Sequence, residues 1–110
     1  MKERSYKEHE LMDNVRLALS EHGCKVFRGN VGEVVTIDGR LFRTGLPKGF
    51  SDVFGVLPGG RAFFVETKVR PGKPTRQQLD FIDVMRRQGA LAGVAYSVEE
   101  ALEICELQTK

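Results

Sequence analysis

FFVETKV, residues 63–69, is the stretch on which the reading of this chain turns. Two phenylalanines and two valines give it the composition of a buried β-strand. Glu66 and Lys68 sit inside it, and charged side chains are seldom buried without a partner or a task. Side chains alternate along a strand, so Glu66 and Lys68 point to one face, about 7 Å apart, together with Phe64. Phe63, Val65 and Thr67 take the other face.

The segment before it, Asp52–Leu57, also reads as a strand, and Pro58-Gly59-Gly60 as the turn between the two. With a three-residue turn Leu57 faces Arg61, and counting outward sets Asp52 opposite Glu66. Directly paired residues hold their Cβ atoms roughly 5 Å apart. A slip of one residue would pair Asp52 with Thr67 instead. In the first register two carboxylates and a lysine converge at the edge of a sheet. Such carboxylates repel unless a cation lies between them. Oxygen ligands, with no His or Cys nearby in sequence, favour Mg2+ or Mn2+. An ion of that kind polarises a phosphoryl oxygen and acidifies a bound water. Lys68 could orient that water or offset the charge growing on phosphorus. The plain alternative for the same letters is a surface hairpin carrying a cross-strand ion pair.

The flanking segments frame this pair of strands. Ser5-Tyr6-Lys7-Glu8 has the S-x-x-E form of a capping box and predicts a helix beginning there. Leu11, Val15, Ala18 and Leu19 follow at helical spacing, and Gly23 ends the helix. Cys24–Arg28 reads as a short strand, with Asn30 and Gly32 marking a turn. Asp38-Gly39, between Glu33–Ile37 and Arg40–Arg43, is a hairpin signal. TGLPKGFS, residues 44–51, is a Gly/Pro-rich loop. After the charged strand, taken as Arg61–Val69, a basic loop runs over Arg70–Pro74. Thr75 caps a helix with Leu79, Ile82 and Met85 inward, ending near Gly89. Leu91–Tyr96 reads as a buried strand, and Ser97-Val98-Glu99-Glu100 opens a last helix to about Leu107. The order is α-β-β-β-β-β-α-β-α. Its closing strand–helix–strand crossover implies a parallel pair. An α/β fold follows, with a mixed central β-sheet flanked by helices.

A chain of 110 residues is expected to form one domain, 1–110. At 41% hydrophobic and 29% charged it belongs with globular and not disordered chains. No apolar run approaches the roughly 20 residues of a membrane span. MKERSYKEHE at the N-terminus has no apolar signal core, so a cytoplasmic protein without membrane contact is expected. Cys24 and Cys105 lack metal or redox spacing and read as core or boundary thiols. His9 and His22 read as solvent-exposed helix residues. The net charge of +2 hides an asymmetry: residues 40–76 carry eight Lys/Arg against two acids, and residues 97–110 one Lys against four Glu. Arg40, Arg43, Lys48, Arg70, Lys73 and Arg76 suit a polyanion such as nucleic acid, its phosphates held by charge and not by sequence.

Gly49-Phe50-Ser51-Asp52, a hairpin, and then Glu66-Thr67-Lys68 together resemble the PD-(D/E)XK nuclease superfamily. More closely, the chain resembles a stand-alone virus-type replication-repair nuclease (VRR-NUC) domain. The resemblance rests on Glu8 with Leu11, Arg28–Gly32 (RGNVG), Gly45–Asp52 (GLPKGFSD), Val65–Lys68 (VETK), Gln78–Phe81 (QLDF) and Gly89–Ala101, in that order along nearly the whole chain. It implies a restriction-endonuclease-like core with Asp52, Glu66 and the backbone carbonyl of Thr67 as metal ligands. It also implies Lys68 as the catalytic lysine, Glu8 as a helix acid reaching the site, and Gln78 as a supporting glutamine. Glu8 and Gln78 can each be read as the fourth residue of a capping box instead, and Glu10 and Gln77 are their neighbours. The chain departs from the family where an acid-paired proline commonly precedes the aspartate: Phe50-Ser51 stands there, and Pro47 lies earlier.

The activity implied is Mg2+- or Mn2+-dependent hydrolysis of DNA phosphodiesters. Stand-alone members resemble Holliday-junction resolvases in being small and dimeric, and a two-fold dimer matches the symmetry of a four-way junction. The rival readings are a non-catalytic nucleic-acid-binding module of the same fold and a flap or single-strand nuclease with the same chemistry.

Overall fold

The computed structural model describes residues 2–29, 33–43 and 45–108, and for residues 2–5, 33, 34, 42 and 43 the backbone alone. Helix α1 (Lys2–Glu21) leads to β1 (Lys25–Arg28). Strands β2 (Glu33–Val35), β3 (Leu41–Arg43), β4 (Val53–Val56) and β5 (Ala62–Thr67) follow. Helix α2 (Arg76–Arg87), β6 (Leu91–Ala95) and α3 (Val98–Ile104) complete the chain. The central sheet has the order β1-β4-β5-β6. Its pairs are antiparallel except for β5 and β6, which run parallel across the α2 crossover. The fold is α/β, with a mixed sheet between helices and the α-β-β-β-β-β-α-β-α order expected from the sequence.

Alternation along β5 builds two different layers. Phe63 and Val65 are fully buried on the face shared with Met12, Val15 and Leu19 of α1 and with Ala101, Leu102 and Cys105. Burying a side chain of this size is worth about 1.5–3 kcal/mol. Phe64 faces the other way, into an aromatic cluster under α2. Phe50 lies at its centre, 4.8 Å from Phe81, 5.0 Å from Phe54 and 5.9 Å from Phe64 between ring centroids. Edge-to-face and tilted ring pairs add about 0.5–1.5 kcal/mol each beyond their buried area. Phe50 therefore staples the loop before β4 to α2. Gly49 lets that loop approach: its φ is 91°, and a Cβ there would stand 2.4 Å from the Gln77 carbonyl oxygen.

The β4–β5 hairpin has the three-residue turn. Val53 pairs with Val65 and Phe54 with Phe64, and the Leu57 N–H donates to the Arg61 carbonyl at 2.9 Å. The same register, continued past Val53, sets Asp52 beside Glu66 and Thr67.

Several expectations change. α1 starts at Lys2, so Ser5 lies within the helix and not at its cap; its side chain is outside the described residues. Glu8 is thereby released from a capping role. Leu79 is 46% exposed, and Phe81 takes the inward position beside Ile82, because the aromatic cluster and not a simple leucine stripe draws α2 to the sheet. The Asp38-Gly39 hairpin closes one residue wider than a two-residue turn, since the Thr36 N–H donates to the Arg40 carbonyl at 2.7 Å. β2 and β3 form a two-stranded sheet of their own. The last helix stops at Ile104 and not near Leu107. His22 is half-buried, with its ring nitrogens 2.8 Å from the carbonyl oxygens of Ala18 and Gln108. Cys24 and Cys105 are free and buried; burial pushes the Cys105 thiol up to about 12. The turn expected at Asn30 and Gly32 lies outside the described residues. No described helix is long and apolar enough to cross a membrane.

Gly55 carries a clear constraint. A Cβ there would fall 1.8 Å from the Lys25 carbonyl oxygen and 3.1 Å from the Phe63 ring. Gly55→Ala should destabilise the protein by about 1–3 kcal/mol, the usual scale for overpacking. Urea unfolding should show this as a lowered midpoint.

Candidate active site

At the end of the sheet where β4 begins and β5 finishes, α1 and α2 leave a cavity of about 240 Å3. Asp52, Glu66, Thr67 and Lys68 form its floor. Glu8 and His9 of α1 stand on one side and Gln78 of α2 on another; Met12, Arg28 and Gly29 complete the lining. Glu10 and Gln77 are exposed and take no part in it.

Asp52 is held from β5. The Thr67 N–H and hydroxyl both donate to Asp52 Oδ2, at 3.1 and 2.8 Å. On the other side of the floor, Gln78 Nε2 donates to Glu66 Oε2 at 3.1 Å. Gln78 Oε1 meanwhile accepts from the Thr75 N–H at 2.8 Å, and the Thr75 hydroxyl accepts from the Gln78 N–H. The two readings of Gln78 thus coexist: one end of its amide closes the capping box, and the other reaches the cavity. The cap fixes where the helix starts, and so fixes the donor aimed at Glu66.

Glu66 is the unusual group. It is 2% exposed, and its Oε1 has no hydrogen-bond partner among the described residues. Lys68 Nζ lies 3.5 Å from Oε2, with the lysine side chain 16% exposed. Burial, with the nearby Asp52 charge second, pushes the Glu66 carboxyl up to about 8 despite the opposing pull of Lys68. A buried oxygen without a donor, beside a second carboxylate, is an arrangement that a hard cation relieves. The donors are oxygens, which suits Mg2+ or Mn2+. Among the described residues no three His, Cys, Asp or Glu side chains cluster tightly enough to cage an ion. A metal here would rest on two carboxylates, backbone oxygen and water, the mode Mg2+ commonly adopts.

The basic residues picked out as DNA contacts lie elsewhere. Arg40 pairs with Asp38 at 3.0 Å and Arg76 with Asp80 at 3.1 Å, both exposed. The Arg70 guanidinium lies 4.2 Å from the centre of the Tyr96 ring. Lys48 and Lys73 are exposed. The side chain of Arg43 is outside the described residues. None of the five described ones lines the cavity. His9 and Arg28, which do, carried no site role in the sequence reading; His9 is exposed on its helix as expected.

No family model and no curated protein matches this chain. A solved structure described as "VRR_NUC domain" does, with a TM-score of 0.64 and 25% identity, over 91% of this chain and 95% of that one. The fold is that of a VRR-NUC domain. At Phe50-Ser51, where the sequence departs from the family pattern, the ring packing of Phe50 anchors the backbone that leads to Asp52.

The raised Glu66 carboxyl has a consequence for stability. A carboxyl held above its unfolded value binds its proton more tightly in the folded state, so its contribution is complete below about pH 4.5 and is lost as pH rises towards 8. In chelator, the wild-type protein should lose on the order of 1 kcal/mol per pH unit across that window. Glu66→Gln should remove most of this loss. Thermal melts of both proteins at pH 5.5, 7 and 8.5 measure it; parallel curves would show that Glu66 ionises without penalty.

Proposed function

We propose that residues 1–110 act as one nuclease unit: a cytoplasmic, Mg2+- or Mn2+-dependent endonuclease that hydrolyses DNA phosphodiesters and prefers branched substrates of the four-way-junction type. The observation that carries this reading is the meeting of Asp52 with the orphaned, buried Glu66 oxygen, next to Lys68 and Gln78, in one cavity. Asp52, Glu66 and the Thr67 carbonyl are the groups to hold the ion. When bound, it supplies Lewis-acid polarisation of the phosphate and acidifies water. Thr67 holds Asp52 in place through two donors, and Gln78 orients Glu66. Lys68 sets a positive charge at the point where negative charge grows on the phosphate oxygens. Glu8, from α1, faces the same space and serves to accept a proton or to orient water.

Selectivity for branched DNA rests on assembly. One site cuts one strand, and paired cuts need two sites at fixed spacing, which a two-fold dimer provides. The β2–β3 hairpin is the surface proposed for pairing. Val35 is 71% exposed, Ile37 108% and Leu41 57%, and a two-stranded sheet with a bare apolar face gains most from a partner. Arg40, Arg43, Lys48, Arg70, Lys73 and Arg76 then serve as phosphate contacts away from the reacting bond.

Labelled junction, flap, duplex and single-stranded DNA, each incubated with Mg2+, Mn2+ or EDTA, tests the activity. Paired nicks in the junction are expected with either metal and none in EDTA. Asp52→Asn should abolish cleavage while its melt stays cooperative. Lys68→Ala should slow cleavage far more than it weakens DNA affinity. Light scattering should give twice 12.3 kDa. A monomer that cuts single strands as well as junctions would leave the nuclease and remove the resolvase.

A further inference from the structure

Arg28 is set apart from the other arginines whose side chains are described. Arg16, Arg40, Arg76 and Arg87 pair with Asp13, Asp38, Asp80 and Asp83. Arg61 bonds the Gly89 carbonyl and faces Glu106. Arg86 bonds the Ala92 carbonyl, and Arg70 covers Tyr96. Arg28 has no hydrogen-bond, ion-pair or ring partner among the described residues. Yet it lines the cavity that also contains Glu8, Asp52 and Glu66. An arginine beside three carboxyl groups and bonded to none of them is available for an anion brought from outside.

Its backbone is firmly placed. Arg28 ends β1 and pairs with Val53, the residue after Asp52. The next N–H, that of Gly29, donates to the Asp52 carbonyl at 2.7 Å. The strand end carrying Arg28 is therefore locked to the chain segment that carries Asp52. A rigid strand positions a side chain better than a loop does. The loop cations lie outside the cavity, which leaves Arg28 and Lys68 as its two Lys/Arg residues. Lys68 is already committed to Glu66.

We propose that Arg28 grips the phosphodiester that is cut, through two of its non-bridging oxygens. A planar guanidinium presents paired N–H donors matched to two such oxygens and stays charged at any working pH. In the reaction a water oxygen forms a bond to phosphorus and one P–O ester bond breaks. One water proton ends on the leaving oxygen, giving an alcohol and a phosphate monoester. The non-bridging oxygens gain negative charge on the way, so the guanidinium binds the transition state more tightly than the substrate. This assignment rests on the nuclease reading above and names the residue that places the substrate in that site.

The test compares wild type, Arg28→Ala and Arg28→Lys on the best-cleaved DNA, in single-turnover cleavage and in metal-free binding. Arg28→Ala should lower the cleavage rate about 10²–10³-fold, the scale for losing one charge-stabilising donor. Its thermal midpoint should hold, since the side chain has no partner among the described residues. Arg28→Lys should fall between, because charge survives without the fork. Added guanidinium ion should restore part of the alanine variant's rate and leave wild type unchanged, a rescue that a structural role would not show. The slope of log affinity against log salt should drop by about one phosphate's worth. If wild type cleaves and Arg28→Ala cleaves within about threefold of it, the Arg28 assignment is wrong and the nuclease reading stands. If wild type cleaves no DNA with any metal, the nuclease reading itself fails and takes the Arg28 role with it.

Discussion

The antiparallel register between β4 and β5 governs the rest of the molecule. Val53 across from Val65 brings Asp52 to the end of β5, where the Thr67 N–H and hydroxyl seize one of its carboxylate oxygens. Because strand side chains alternate, the same register sends Phe63 and Val65 into the core under α1 and α3, and Phe64 and Glu66 towards α2. A slip of one residue would reverse both faces at once. It would put Glu66 among apolar side chains. Packing and the candidate site are thus specified by one set of backbone hydrogen bonds.

That economy has a cost concentrated at Glu66. The aromatic cluster of Phe50, Phe54, Phe64 and Phe81 presses α2 against the sheet, and the capping box at Thr75 fixes where α2 begins. Together they bury a carboxyl that, among the described residues, has the Gln78 amide as hydrogen-bond donor on Oε2 and none on Oε1. A structure selected for stability alone would place an apolar residue or a fully bonded amide there. Retaining a destabilised carboxyl between Asp52 and Lys68 makes chemical sense if a cation is meant to arrive.

Much of this was legible in the residues. Counting out from a three-residue Pro58-Gly59-Gly60 turn sets Asp52 by Glu66, and the observed Val53–Val65 pair selects that register over the one-residue slip. The alternation of Phe63–Lys68 gave the two faces, and the α2 crossover gave the parallel β5–β6 pair. The misreadings have local causes. S-x-x-E at Ser5 imitates a helix start, but helix-forming residues precede it and the helix runs back to Lys2. Ser97 does cap α3, yet Glu100 reaches past it to the Tyr96 N–H, a choice made by tertiary position. Leu79 looked inward because helical spacing cannot reveal that a ring from a distant loop, Phe50, sets the packing direction. Charge counting pointed to the loops for DNA contacts. It was blind to Arg28 and His9, whose value lies in their place at the cavity and not in any local cluster.

The proposed function stands or falls on one physical claim: that Asp52 and Glu66 form a pair able to hold a divalent cation. Calorimetric titration of the chelator-treated protein with Mn2+ in the absence of DNA tests it without reference to catalysis. One ion per chain should bind wild type, and both Asp52→Asn and Glu66→Gln should lose most of that affinity while remaining folded. Undiminished Mn2+ binding in both variants, or none in wild type at millimolar metal, would contradict the account.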